Sequence, residues 1–281
     1  MGKAQQLLVP TKRGGAGTSY LLDTYTATAA YSTRQLRTGQ TNCLRIRRAS
    51  DNAEQDFGFV DGWLDTASIA TFLTATTGYA ATWYDQSGSG NNATQSTAGS
   101  QPLYVAVGDI NSKPCLRFDG TDDYLSVPNV FSGSVAMALS VVRAKGDSFG
   151  QSRNGGVWDT GSQNGNSTHF SGILSQIYDD FGGTTRPLVG TASLNTNYIY
   201  SCTIKNGTTR EFWLNSNTTE LLSETMTPGW ITTPKIGNGG GGTPYYFNGD
   251  MTSVIVMLSY NSGNFENIMD DLSDAWGITL S

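Results

Sequence analysis

Thr82-Trp83-Tyr84-Asp85-Gln86-Ser87-Gly88-Ser89-Gly90-Asn91-Asn92-Ala93-Thr94-Gln95 is the stretch whose reading decides the fold of this chain. Trp83 and Tyr84 favour a pleated, half-buried surface. Gly88 and Gly90 reach backbone angles that other residues adopt only under strain, and Asp85 and Asn91 can fold their side chains onto nearby amides. An aromatic strand therefore runs into a rigid, shaped loop at the end of a sheet. Such a loop is a fixed corner or a binding edge, and the residue types favour the corner.

Downstream of Trp83 the pattern is β throughout. The spacing predicts strands over Leu103–Val107, Cys115–Phe118, Tyr124–Val127, Val135–Val142, Gly156–Trp158 and Phe170–Tyr178. It predicts others over Tyr198–Ile204, Arg210–Leu214, Leu221–Thr225 and Asn248–Leu258. Short strands broken by glycine and asparagine turns argue for a sandwich rather than a parallel α/β sheet. In Met251–Leu258 both faces become apolar, as in a strand covered on each side. Two helices flank the pattern. One lies over 65–73 with Asp65 as its N-cap, and one over Asn264–Trp276 with Gly277 as its stop. The apolar stripe Phe265, Ile268, Met269, Leu272, Ala275 and Trp276 should lay the second helix over the outer face of the last strand. Residues 1–27 read as an extended arm and 28–281 as one domain.

Composition bounds the surface and the chemistry. Aromatic content of 11% and 34 glycines suit a turn-rich sheet protein, and charged content of 14% is low. The first fifty residues carry Lys3, Lys12, Arg13, Arg34, Arg37, Arg45, Arg47 and Arg48 against Asp23 alone, so the remainder is strongly acidic for the total to reach -6. Internal pairing of Arg45, Arg47 and Arg48 with Asp51, Glu54 and Asp56 is the simplest use of that charge. The other is neutralisation of an acidic neighbour. No basic run interleaves with aromatics, which speaks against nucleic acid. Cys43, Cys115 and Cys202 form no disulfide or metal pattern, and a single histidine, His169, excludes a histidine-rich zinc site. No export signal or membrane-spanning run is legible, so no membrane insertion is expected.

Trp83–Gln95, together with Tyr31-Ser32-Thr33-Arg34 and Leu44-Arg45-Ile46-Arg47-Arg48-Ala49-Ser50-Asp51-Asn52, resembles the catalytic domain of the α-L-arabinofuranosidase B family. The same three blocks, in the same order, resemble a set of bacteriophage tail and virion proteins. From Leu116-Arg117-Phe118-Asp119-Gly120 onward the chain is similar to concanavalin A-like (LamG-type) jelly rolls. The resemblance implies an all-β, concanavalin A-like jelly-roll sandwich of two antiparallel sheets with one or two short peripheral helices. It implies a virion structural protein on a tail or capsid exterior, assembled in the host cytoplasm and released by lysis, with lectin-like capacity for host polysaccharide. Partners would be other virion proteins, through the basic arm, and further copies of the chain, as a trimer.

The alternative is a glycoside hydrolase of arabinofuranosidase B type. It needs two carboxyl groups about 5–10 Å apart across a cleft, and Asp85, Asp159, Asp179, Asp180 and Glu211 are candidates. The family's catalytic pair falls where this sequence does not align residue by residue, so no catalytic residue is carried across and the reading leans away from an enzyme. For sugar contact, aromatic faces near polar loops are wanted, and Trp158, Tyr178, Trp230, Tyr245 and Tyr246 qualify. The tyrosines of Gly237–Tyr246 could equally pack on a neighbour while the glycines span a corner. Asp119, Asp122 and Asp123 form the densest acidic cluster. Hard cations such as Ca²⁺ take several oxygens of this kind, although the same turn closes without metal.

Overall fold

A computed structural model describes residues 19–146, 158–159, 170, 176–183, 187–230, 232–239 and 245–281. At its centre runs the strand Asn248–Met257, buried from Gly249 onward. One edge of this strand pairs with Ala136–Ala144, and the other pairs with Ala29–Ser32 and then Cys115–Asp119. The hydrogen-bonded path continues through Tyr198–Lys205, Thr209–Leu214 and Leu222–Thr225 on one side. On the other it continues through Leu103–Val105, Gly78–Trp83, Ala93–Thr94, Leu125–Ser126, Lys235–Ile236 and Trp158–Asp159. Leu44–Arg48 and Glu54–Phe57 branch from Gly78–Trp83. Every pairing among the described strands is antiparallel. The path curls on itself, so that Leu44, Trp83 and Leu125 from one half share a buried cluster with Ala138, Tyr200 and Phe212 from the other. The fold is an all-β sandwich.

A second buried cluster lies on the outside of the central strands. Side chains alternate faces along a strand, so Ala136, Ala138 and Val142 point into the sandwich while Met137, Leu139 and Val141 point away. Helix Ser262–Trp276 covers that outer face with Phe265, Ile268, Met269, Leu272, Ala275 and Trp276. Asn261 caps its start through Asn264 N–H, and Gly277 ends it at a left-handed φ of 62°. Ile255 and Met257 belong to the outer cluster, Val254 and Val256 to the inner one. A bulge opposite Val141 and Val142 inserts Thr252 and returns Met251 to the inner face. Helix Thr66–Leu73 is capped by Asp65, which accepts from Ser68 N–H at 3.0 Å. Among the described residues no helix is long and apolar enough to cross a membrane.

Residues 1–18 of the expected arm lie outside the described residues. Leu21–Thr24 form one helical turn, and Leu21 and Ala27 join the outer cluster, so the packed body extends N-terminal of residue 28. All three cysteines are buried and free, and burial pushes the Cys43 and Cys202 thiols well above the usual range. Arg45 pairs with Asp56 and Arg48 with Asp51, each at 2.7 Å. Arg47 departs from the expectation. Its Nε donates to Gln101 Oε1 at 2.6 Å, and its terminal nitrogens donate to Asn52 Oδ1 and the Ala98 carbonyl.

Candidate functional site

The Trp83–Gln95 loop is a corner, and its Asp85, Gln86 and Gln95 side chains are buried. Asp85 Oδ1 accepts from the Ala30 and Ser87 amides at 2.8 and 2.9 Å, and its Oδ2 from the Asn91 amide and the Ser87 hydroxyl at 2.9 and 2.7 Å. Gln86 is fully buried: its Oε1 accepts from Leu36 N–H, and its Nε2 donates to the Ser32 and Arg34 carbonyls. Gly88 has φ of 89°, and a Cβ there would collide with the Arg37 guanidinium. These bonds tie the loop to the strand Ala29–Ser32 and leave Asp85 and Gln86 nothing to offer a ligand.

An open groove of about 600 Å³ lies elsewhere. Its lining includes Arg47, Tyr79, Leu103 and Arg117, which stand opposite one another on four successive strands. Their chain neighbours Ile46, Ala80, Tyr104 and Leu116 are in the inner core, so alternation turns the four outward. The Arg47 guanidinium lies 5.0 Å from the Tyr79 ring centre. Arg117 makes a bidentate pair with buried Asp250, its register partner, at 2.6 and 2.9 Å. Asp109 joins Arg117 to Lys145, which also lines the groove. Gln101 connects this surface to the corner loop by donating to the Gln95 carbonyl at 2.8 Å.

The acidic turn closes one part of the groove. Oxygens of Asp119, Asp122 and Asp123 lie within 4.8 Å of one another, a spacing open to a hard cation. The turn also satisfies itself: Asp119 Oδ1 accepts from Thr121 and Asp122 N–H, and Asp123 Oδ2 accepts from Asp119 N–H at 3.0 Å. Burial of Asp123, followed by the charges of Asp119 and Asp122, pushes its carboxyl up to about 7.

The aromatic candidates lie in three places. The Tyr246 ring lies 6.5 Å from that of Tyr124, over which Lys235 also sits, and close enough to Asp119 and Asp122 for their charges to raise its hydroxyl pKa further after burial and Tyr124. Tyr245 and Tyr246 pair with Asn238 and Gly239, and Trp158 pairs with Ile236 one strand away. Of the glycine loop between them, 240–244 lie outside the described residues. Trp230 is elsewhere, stacked on Phe131 at 5.0 Å and met edge-on by Phe181, with its indole N–H donating to the Gly133 carbonyl. Tyr178 occupies a separate two-stranded sheet, where its hydroxyl donates to Gln176.

Of the carboxylates considered for hydrolysis, Asp85, Asp179, Asp180 and Glu211 are not among the residues lining the groove. Asp179 is fully buried and accepts from Phe181 N–H, the Tyr200 hydroxyl and the Cys202 thiol. Asp180 is buried beside it, and Glu211 pairs with Lys205. The Asp159 side chain lies outside the description. Sequence reasoning missed the outward row because its members come from four separate stretches. Only register joins them.

Residues 21–113 match the family model described as "Alpha-L-arabinofuranosidase B, catalytic". No curated protein matches the chain. Among solved structures, a GH54 α-L-arabinofuranosidase soaked with a cyclic sulfate inhibitor is similar at 14% identity and a TM-score of 0.63, covering 89% of this chain and 63% of that one. An arabinofuranosidase complexed with arabinofuranosyl-α-1,2-xylobiose is similar at 16% identity and a TM-score of 0.62, covering 91% and 64%. Both likenesses are to arabinofuranosidases and not to a virion protein, and at these identities they establish the fold. The chain spans less than two thirds of the length of these enzymes. Its fold is similar to the sandwich of those enzymes.

Proposed function

We propose that this protein is directed at polysaccharide, as a carbohydrate-active sandwich of the arabinofuranosidase type whose ligands are arabinofuranose-bearing or related glycans. One observation carries the reading: the match to the arabinofuranosidase B catalytic model over 21–113 continues as a likeness to such enzymes over 89% of the chain. Fold alone does not fix activity, so the test is chemical. The protein is incubated with 4-nitrophenyl α-L-arabinofuranoside and with arabinoxylan, and both hydrolysis and binding are followed. Hydrolysis abolished by a single Asp or Glu substitution establishes a glycosidase. Neither hydrolysis nor binding to any arabinose-containing polymer refutes the proposal.

A second reading is favoured by the contacts of Asp85, Asp179 and Glu211, each of which is engaged inside the chain. In it the sandwich binds glycan without cleaving it, as a virion exterior protein engaging host surface polysaccharide. It would assemble, as a trimer, through its basic N-terminal arm. Deleting residues 1–20 should then abolish incorporation into particles while leaving the domain folded. Normal incorporation removes the attachment role.

A further inference from the structure

We propose that the row Arg47–Tyr79–Leu103–Arg117 is the floor of a binding groove that takes a neutral oligosaccharide lying across the strands. The inference rests on the carbohydrate reading above and gives it a place and a ligand class.

Register supplies the first argument. Arg47 faces Tyr79, Tyr79 faces Leu103, Leu103 faces Arg117, and Arg117 faces Asp250. The four strands of the row, at about 4.8 Å spacing, span about 14 Å, which is the reach of a short glycan chain rather than of one sugar. The groove volume of about 600 Å³ is that of a small-molecule site. Chemistry supplies the second. Tyr79 and Leu103 are half-buried and offer apolar surface to sugar C–H faces, while guanidinium groups on either side suit adjacent hydroxyls. A guanidinium has five N–H donors, and the three internal bonds of Arg47 hold it flat while leaving donors over.

Charge decides between neutral and acidic ligands. Arg117 and Lys145 already have carboxylate partners in Asp250 and Asp109. Asp119 also lines the groove. A polyuronate would meet that carboxylate and find only Arg47 without an acidic partner in its own bonds. A neutral chain meets donors and acceptors along the whole row.

Gly99 provides the test. It lines the groove, and a Cβ built on it meets nothing within 4 Å, so a large side chain there enters open space. Titration calorimetry of the full chain with arabinan and xylan tetrasaccharides should show binding. Gly99→Phe should weaken it at least tenfold with an unchanged melting temperature, and Tyr79→Ala should weaken it too. Hydrogen exchange on the unmutated protein gives a readout independent of any variant: the ligand should protect amides at 98–103 and 117–123. Wild-type affinity in Gly99→Phe, or protection confined to 230–246, overturns this placement while the carbohydrate reading stands. Tighter binding of polygalacturonate than of neutral tetrasaccharides overturns the ligand class. No binding by the wild type overturns the placement and the carbohydrate reading together.

Discussion

Asp85 is the place to test whether the Trp83–Gln95 block is a structural corner. Asp85→Ala removes the acceptor for three backbone amides, Ala30, Ser87 and Asn91, together with the Ser87 hydroxyl. The Ala30 amide sits in a buried bond, and a buried donor left unpaired costs about 1–3 kcal/mol. The Ser87 and Asn91 amides are partly buried, so water recovers some of their loss and each costs about 0.5–1.5 kcal/mol. Together the substitution should destabilise by about 4 kcal/mol, a large share of the roughly 5–15 kcal/mol that holds a domain. With an m-value of about 3 kcal/mol/M, the urea midpoint falls by about 1–1.5 M. Asp85→Asn keeps one carbonyl oxygen for Ala30 and Ser87 but points an amide donor at Asn91 N–H, so it should lose about half as much. The assay is equilibrium urea unfolding followed by tryptophan fluorescence, since Trp83 is buried two residues away. An Asp85→Ala protein within about 1 kcal/mol of wild type would mean that the loop does not hold the layers together, and the corner assignment would fall.

Three further outcomes follow from single contacts. The Asp123 carboxyl, raised to about 7 from 3.8, keeps a proton in the folded state that the unfolded chain releases near pH 4. Stability should therefore fall as pH rises from about 4 to about 7 and then level off, and Asp123→Asn should remove that slope; denaturation midpoints that differ by a constant amount across this window contradict it. Gly237 has φ of 84°, and a Cβ there would lie 2.3 Å from the buried Phe118 ring. Gly237→Ala should cost about 2–4 kcal/mol from left-handed strain and overpacking, read as a lowered melting temperature. Trp230→Ala removes the stack on Phe131, the edge contact with Phe181 and the bond to Gly133, and should cost about 2–4 kcal/mol in urea unfolding. Unchanged stability would instead leave the indole available as a ligand platform.

Helix Ser262–Trp276 was legible because its signals are local: apolar residues three and four apart, and a glycine where the backbone turns left-handed. The doubly covered strand Asn248–Met257 was legible for a similar reason, since both alternating faces are apolar within one run. Arg45 and Arg48 found the acids that the sequence places beside them, one across a hairpin and one within a turn. Arg47 did not, because its partner Gln101 is brought up by pairing of Gly78–Trp83 with Leu103–Val105, which no local pattern encodes. The aromatic candidates show the same limit. Trp230 has the composition of a platform, and only the fold reveals Phe131 against its face.

Many polar side chains of the blocks that carry the arabinofuranosidase resemblance are engaged by other parts of the chain. Arg34 reaches Asp271 on the covering helix, Arg45 and Arg48 pair with Asp56 and Asp51, and Asp85 and Gln86 bond the backbone of neighbouring strands. Residues with such roles hold a sandwich together whatever chemistry its surface performs, so their match reports architecture before activity. Arg47 is engaged in the same way, through Gln101, Asn52 and Ala98, and it also lines the groove. It turns outward into the groove, beside Tyr79, while its neighbours Ile46 and Leu44 anchor the same strand in the core. Among the described residues, a ligand seated in that groove meets the shared blocks at Arg47. If Arg47→Ala leaves glycan binding unchanged in a protein that still binds, recognition does not run through the three shared blocks.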